Sequence, residues 1–235
     1  MKTCEHFAQR LTCLFETGLP VAALDLVETD ANGRGLACGW ARFSTGDGRV
    51  AACIEAFLRR APGHALGEFL PLLRHLRDRG EGDTATLTRH GFRVAWRSAS
   101  GHGAFPDAYA EVVETTLGAP ARAWCARLGF ADGPLAPIAY AIVFDALMEH
   151  GDRLDGDSFS AIASRTNAQS GTFGWLCAFL AARRQTLWCP HDRSRHAPFR
   201  DCAARVDTLE QLLVANPGLR APLRFLFEGA LHSWS

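Results

Sequence analysis

One carboxylate, Glu16, closes the apolar run that contains Phe7, Leu11, Leu14 and Phe15. Spacings of three and four put those apolar side chains on one helical face. Glu16 then falls at a helix C-terminus, where the macrodipole disfavours negative charge. A carboxyl group kept protonated in this way suits a general acid. Read without that role, the same residue is an exposed glutamate at a helix end. Further on, Gly33-Arg34-Gly35 opens a strand-like stretch that continues through Leu36, Ala37, Cys38, Gly39 and Trp40. An acid facing a glycine-bracketed arginine is half of a catalytic pair, and the question it raises is where the second group lies.

Other residue sets offer less. Cys189, His191, His196 and Cys202 carry metal-ligand side chains, but their spacing matches no standard zinc pattern, so no metal or cofactor is expected. Gly101-His102-Gly103 is a flexible loop, and the chain contains no GxGxxG or GK[ST] phosphate cradle. Arg193, Ser194, Arg195 and Arg200 form a basic segment that reads as a solvated loop. No CxxC pair occurs among the eight cysteines, most of which lie in apolar runs, where reduced core thiols are expected and a disulfide is the alternative.

The elements that must position Glu16 follow from periodicity. Residues 4–16 are expected as the first helix, stopped by Gly18 and Pro20. Leu36 to Ser44 is short, rich in small and aromatic residues and closed by Thr45-Gly46-Asp47-Gly48, which predicts a strand ending in a turn. Helical spacing returns from Val50 to Leu58, and further helices are expected over 65–79, 104–117, 119–129, 156–165, 172–188, 200–214 and 219–231. Gly80-Glu81-Gly82-Asp83 and the stretch from Ser98 to Gly103 are polar breaks. Pro134 to Glu149 is apolar almost all round, so this helix is expected at a buried centre, joining two lobes. Asp145 lies within it and needs a buried cation, most simply an arginine.

The class is mainly α with a small antiparallel β-sheet (α+β), one domain over 1–235. Its 235 residues suffice for one large core or two lobes. Lys and Arg number 25 against 25 Asp and Glu, so no long-range field draws the chain to nucleic acid or to an anionic membrane. No stretch approaches the roughly 20 apolar residues of a membrane span.

The ordered set of these features resembles the glycoside hydrolase family 46 chitosanases of the lysozyme-like superfamily. The resemblance rests on Leu11-Thr12 to Phe15-Glu16, Glu28 to Gly33-Arg34-Gly35, Phe43 to Gly48, Asp145 with His150-Gly151-Asp152, and Asp157-Ser158-Phe159 with Arg165-Thr166-Asn167. Phe179-Leu180 to Arg183, His191-Asp192 and Ala204-Arg205-Val206-Asp207 complete it. It implies a bilobal fold around a sugar-binding cleft and a monomer acting on an oligo- or polysaccharide. Glu16 would be the general acid. Asp145, Arg183 and Arg205 would form a buried charge network, with Arg34 beside the base position. Glu28 would contact substrate; of the six tryptophans, most of which read as core, Trp40 on the expected strand is the candidate for a sugar-stacking cleft wall. The resemblance also implies secretion, whereas the stretch from Met1 to Phe7 holds no apolar run long enough for a signal peptide, so cytoplasmic residence or signal-independent export is the expectation.

Three positions depart from the family. The aspartate that activates water is Asn32 here, an amide with no useful basicity. The threonine that holds the water is Ala37. The aspartate that reads the glucosamine amine aligns without gaps to Arg49, although a shift of two residues would recover Asp47. An inverting glycosidase needs a second carboxylate, so three readings follow. Asp30 or Asp47 replaces the base; or a single acid, helped by the substrate, cleaves an N-acetylated glycan such as peptidoglycan; or the chain binds glycans without cleaving them.

Overall fold

The amphipathic spacing at the start of the chain does give a helix. In the computed structural model, which describes residues 2–30, 33–79, 83–152, 155–166, 171–195 and 202–235, α1 runs Lys2–Thr17. Its buried stripe is Phe7, Leu11, Leu14 and Phe15. Two compact units follow, Met1–Phe15 with Pro120–Ser235, and Glu16–Ala119. The chain passes between them after Phe15 and again after Ala119, and α8 (Ala136–His150), the helix expected to join two lobes, lies wholly in the first unit.

In the first unit α8 is the buried centre, with every residue from Ile138 to Met148 out of solvent. Around it lie α7 (Ala119–Arg127), α9 (Phe159–Arg165), α10 (Gly171–Trp188) and α11 (Ala203–Ala215). Aromatic rings fill the space between them: Trp175 stacks on Phe179 at 5.0 Å, and Phe159 meets Phe179 at 5.2 Å and Trp124 at 4.8 Å. The helix expected over 219–231 is instead an antiparallel hairpin, β4 (Leu223–Phe227) and β5 (Ala230–Trp234). Leu223, Phe225 and Phe227 point inward and Arg224 and Leu226 outward, a period of two. Glu228 and Gly229 both have positive φ, the geometry of a two-residue hairpin turn. The hairpin packs on α1, Phe227 against Phe15 at 5.0 Å and Trp234 under the Arg10 guanidinium at 4.4 Å.

The second unit sets a three-stranded antiparallel sheet against helices. Strands β1 (Val27–Thr29), β2 (Leu36–Cys38) and β3 (Phe43–Ser44) pair in sequence order. The single strand expected over 36–44 is thus two short strands and a turn, and β1 is an element the periodicity missed. Helix α2 (Arg49–Leu58) leads to a 3-10 turn over Ala65–Phe69 and then α3 (Leu70–Arg79). Beyond the polar break come α4 (Thr84–Arg89) and α5 (Phe92–Ser100), which were not expected, then α6 (Phe105–Val113) and a π-helical turn over Glu114–Gly118. Asp83 caps α4 by accepting from the Thr86 N–H at 2.9 Å. The core is a run of edge-on aromatic contacts, Phe69 with Phe92, Trp96 with Phe105, and Phe105 with Phe57, each at 5.1–5.2 Å.

Candidate active site

The sheet of the second unit is pinned from behind by two helices. Arg93 of α5 donates to the Val27 carbonyl and, at 3.4 Å, to the Thr29 hydroxyl, while the Trp96 indole N–H donates to the Leu24 carbonyl at 2.8 Å. From α6, the Tyr109 hydroxyl accepts from the Ala41 N–H at 3.0 Å and donates to the Cys38 carbonyl at 3.3 Å. Those bonds clamp the turn Gly39-Trp40-Ala41-Arg42 between β2 and β3. Gly39 must be glycine, because a Cβ there would come within 2.5 Å of the Tyr109 ring and hydroxyl, and its φ is +66°. Burial pushes the Tyr109 hydroxyl well above its usual pKa, so it stays a neutral donor.

The clamped turn ends at Arg42, which adopts φ +47°, a left-handed conformation uncommon for a side chain of this size. It delivers the guanidinium between two carboxylates. Arg42 Nη1 donates to Glu28 Oε2 at 2.8 Å, and Arg42 Nε lies 3.7 Å from Glu16 Oε2. Glu16 is the penultimate residue of α1 and its side chain is only 10% exposed, whereas that of Glu28 is 53% exposed. Glu16 is therefore not the exposed helix-end glutamate of the simpler reading, and it shares a cation with Glu28 that the sequence did not announce. An arginine in a turn carries no local pattern; only the positive φ and the Tyr109 clamp give Arg42 its place.

The other expected residues of this unit divide. Ala37 is buried at the centre of β2, opposite Glu28 on β1 and Ser44 on β3. Arg34 holds the hairpin through its carbonyl, which accepts from Ser44 Oγ at 2.5 Å and from Gly46 N at 3.0 Å. Asp30 stands at the root of the β1–β2 loop, its N–H donating to Gly35 O and its carbonyl accepting from Gly33 N. Asn32 lies outside the described residues. Asp47 is committed elsewhere: it accepts from the Arg49 backbone N–H at 2.9 Å and from Arg49 Nε at 2.7 Å. Arg49 in turn lies over the Phe43 ring at 4.9 Å, so the two side chains seal the start of α2. Trp40 is 6% exposed and packs near Tyr109, which leaves no open face for stacking a sugar.

The first unit brings Asp145, Arg183 and Arg205 together. Arg183 Nη2 lies 2.6 Å from Asp145 Oδ2 and Arg205 Nη1 3.4 Å from Asp145 Oδ1, with Asp145 1% and Arg183 0% exposed. Two members were missed. Glu149 lies 3.1 Å from Arg205 Nη1, and His150 Nε2 accepts from Arg183 Nε at 3.3 Å. Two carboxylates then balance two guanidiniums, and burial, with Arg183 and Arg205 nearby, holds His150 well below the usual imidazole pKa and so neutral. Only the helix spacing of Glu149 and His150, one turn beyond Asp145, could have pointed to them.

Cys38, Cys53 and Cys125 are buried free thiols, Cys177 and Cys189 are also free, and Cys13 is buried. Burial raises Cys38 and Cys53 and pushes Cys125 up to about 12. His196 and Arg200 lie outside the described residues. No helix among the described residues is long and apolar enough to cross a membrane.

A model of glycosyl hydrolase family 46 matches residues 10–223. The chain belongs to glycosyl hydrolase family 46. It is 31% identical over 217 residues to a chitosanase of Bacillus subtilis, with 89% of this chain and 76% of that one covered. Among solved structures it superposes on a native Bacillus subtilis chitosanase with TM-score 0.91 at 29% identity, over 100% of this chain and 99% of the other. A family 46 chitosanase of Gynuella sunshinyii, in complex with chitotetraose, gives TM-score 0.90 at 27% identity, with 100% and 98% covered. The expected fold class, mainly α with a small antiparallel sheet in a lysozyme-like family 46 fold, is borne out, and the chain is a chitosanase-like glycoside hydrolase.

Proposed function

We propose that the protein cleaves β-1,4 linkages within an amino-sugar polysaccharide, with Glu16 protonating the leaving glycosidic oxygen. The observation that carries this is the setting of Glu16: a largely buried carboxylate at the end of α1, held 3.7 Å from Arg42 on a turn that Tyr109 clamps. A side chain fixed in this way delivers its proton along one direction, which is what general-acid catalysis asks of it. In this reading Asp145, Arg183 and Arg205 are positioning and structural groups of the first unit.

The base is the open half. Asp47 is tied to Arg49 and the start of α2, so Asp30, at the root of the loop that carries Asn32, is the better replacement. A second reading is favoured by Asn32 and Ala37, which supply neither a base nor a hydroxyl for water. There the N-acetyl group of the substrate takes the part of the missing carboxylate, as in substrate-assisted glycosidases.

Reducing-end release from chitosan and from peptidoglycan, measured side by side, separates the two readings. Glu16→Gln is expected to abolish turnover on whichever glycan is cleaved, and undiminished turnover would remove Glu16 from the mechanism. Asp30→Asn should be equally damaging under the first reading and nearly silent under the second. Asn32→Asp is expected to raise chitosan cleavage if only the base is lacking.

A further inference from the structure

We infer that Arg42 is a specificity-determining residue, turning the site from protonated glucosamine chains toward uncharged, N-acetylated ones. This rests on the reading of Glu16 and its neighbours as the substrate site, and it names the substrate class. A polymer of protonated amines is recognised by carboxylates that are open to it. In this unit Glu28, the exposed carboxylate beside Glu16, is bound by Arg42 at 2.8 Å, and Asp47 is bound by Arg49 at 2.7 Å. A substrate ammonium would have to displace a guanidinium or sit beside one, and like charges side by side repel, a penalty that water and salt reduce at this partly exposed pair.

Two features make the block durable. Arg42 is held at φ +47° by a turn fastened at both Cys38 O and Ala41 N to the buried Tyr109 hydroxyl, so its backbone is not free to swing away. Arg42 and Glu28 alone form a pair of zero net charge, with no excess to attract a cation. A guanidinium has five N–H donors. Those not bound to Glu28 suit the carbonyl oxygen of an acetamido group, which a free amine lacks.

The test is binding, so that it does not depend on turnover. Dissociation constants for the fully deacetylated and the fully N-acetylated glucosamine tetrasaccharides are measured by calorimetry on Glu16→Gln, which keeps either ligand intact. The same is done on Glu16→Gln combined with Arg42→Gly and, separately, with Arg42→Gln. The parent is expected to favour the acetylated tetramer. Both Arg42 variants should move the ratio of the two constants toward the deacetylated one by about five- to tenfold, an effect that salt diminishes. A parent that prefers the deacetylated tetramer, or a ratio that stays within about twofold in both variants, would overturn the inference. Melting curves on the same samples show that each variant is folded. If Glu16→Gln left turnover intact, the catalytic reading would fail, and Arg42 would be judged instead by the ratio of kcat/KM for the two tetrasaccharides with and without Arg42→Gln.

Discussion

Replacing Asp145 by asparagine isolates the electrostatics of the first unit. The carboxylate is 1% exposed and contacts Arg183 at 2.6 Å and Arg205 at 3.4 Å. Neutralising it leaves two buried guanidiniums facing one carboxylate, Glu149, and turns an amide N–H₂ toward donors that need an acceptor. Breaking a buried pair by removing one partner costs about 3–5 kcal/mol, because the remaining charge keeps its desolvation penalty. In a chain of this size 1 kcal/mol moves Tm by about 2–4 °C, so a drop of roughly 6–20 °C is expected by scanning calorimetry. The companion variant Asp145→Leu with Arg183→Met removes both charges of the closest pair and leaves Arg205 with Glu149. It should recover at least about 2 kcal/mol of the loss despite being the larger change. A fall below about 2 °C for Asp145→Asn, or a double variant worse than the single one, would refute the view that uncompensated charge is what matters.

Further outcomes follow from other sites. Because burial lowers the His150 pKa below the ordinary 6.5, the unfolded chain binds a proton there that the folded chain does not. Stability is therefore intact above pH 6.5 and falls as pH drops below it, by at most about 1.4 kcal/mol per pH unit, and His150→Asn should flatten the urea-unfolding midpoint across that window. Tyr109→Phe removes two buried hydrogen bonds and should cost about 1–3 kcal/mol, while Gly39→Ala, which drives a methyl into Tyr109, should cost at least as much. Both should also weaken activity through the turn that carries Arg42, read as a fall in kcat with secondary structure unchanged by circular dichroism. Ellman's reagent is expected to titrate Cys189 in the native protein and to reach Cys38, Cys53 and Cys125 only after unfolding.

The sequence was legible where a helix is long and its apolar residues are numerous. The expectations of 4–16, 134–149 and 172–188 meet helices at Lys2–Thr17, Ala136–His150 and Gly171–Trp188. Misreadings fall where two periods fit the same residues. Leu223, Phe225, Leu226 and Phe227 satisfy helical spacing as well as alternation, and the deciding signal was Glu228-Gly229, a turn pair rather than a helix end. Strand β1 is three residues long and carries only one apolar side chain, Val27, so no period could show it. Helices α4 and α5 were hidden by a polar surface that Gly91, at φ +80°, divides into two short pieces. Glu16 in the second unit and Asp145 in the first were each readable because a charge in an apolar helix demands an explanation. Arg42 was not, since its importance comes from a long-range bond pattern through Tyr109.

The left-handed backbone of Arg42 has a consequence for how this lineage can change. Most residues that shape a site sit in comfortable conformations, and replacing them trades stability for novelty. Here the backbone already favours glycine, and a side chain in that region carries strain of order 1–3 kcal/mol. The codon change that erases the guanidinium would thus relax the turn while opening Glu28. The same change removes the Arg42 contacts to Glu28 at 2.8 Å and to Glu16 at 3.7 Å, so relief of backbone strain and loss of two partly exposed ion pairs oppose each other at this one position.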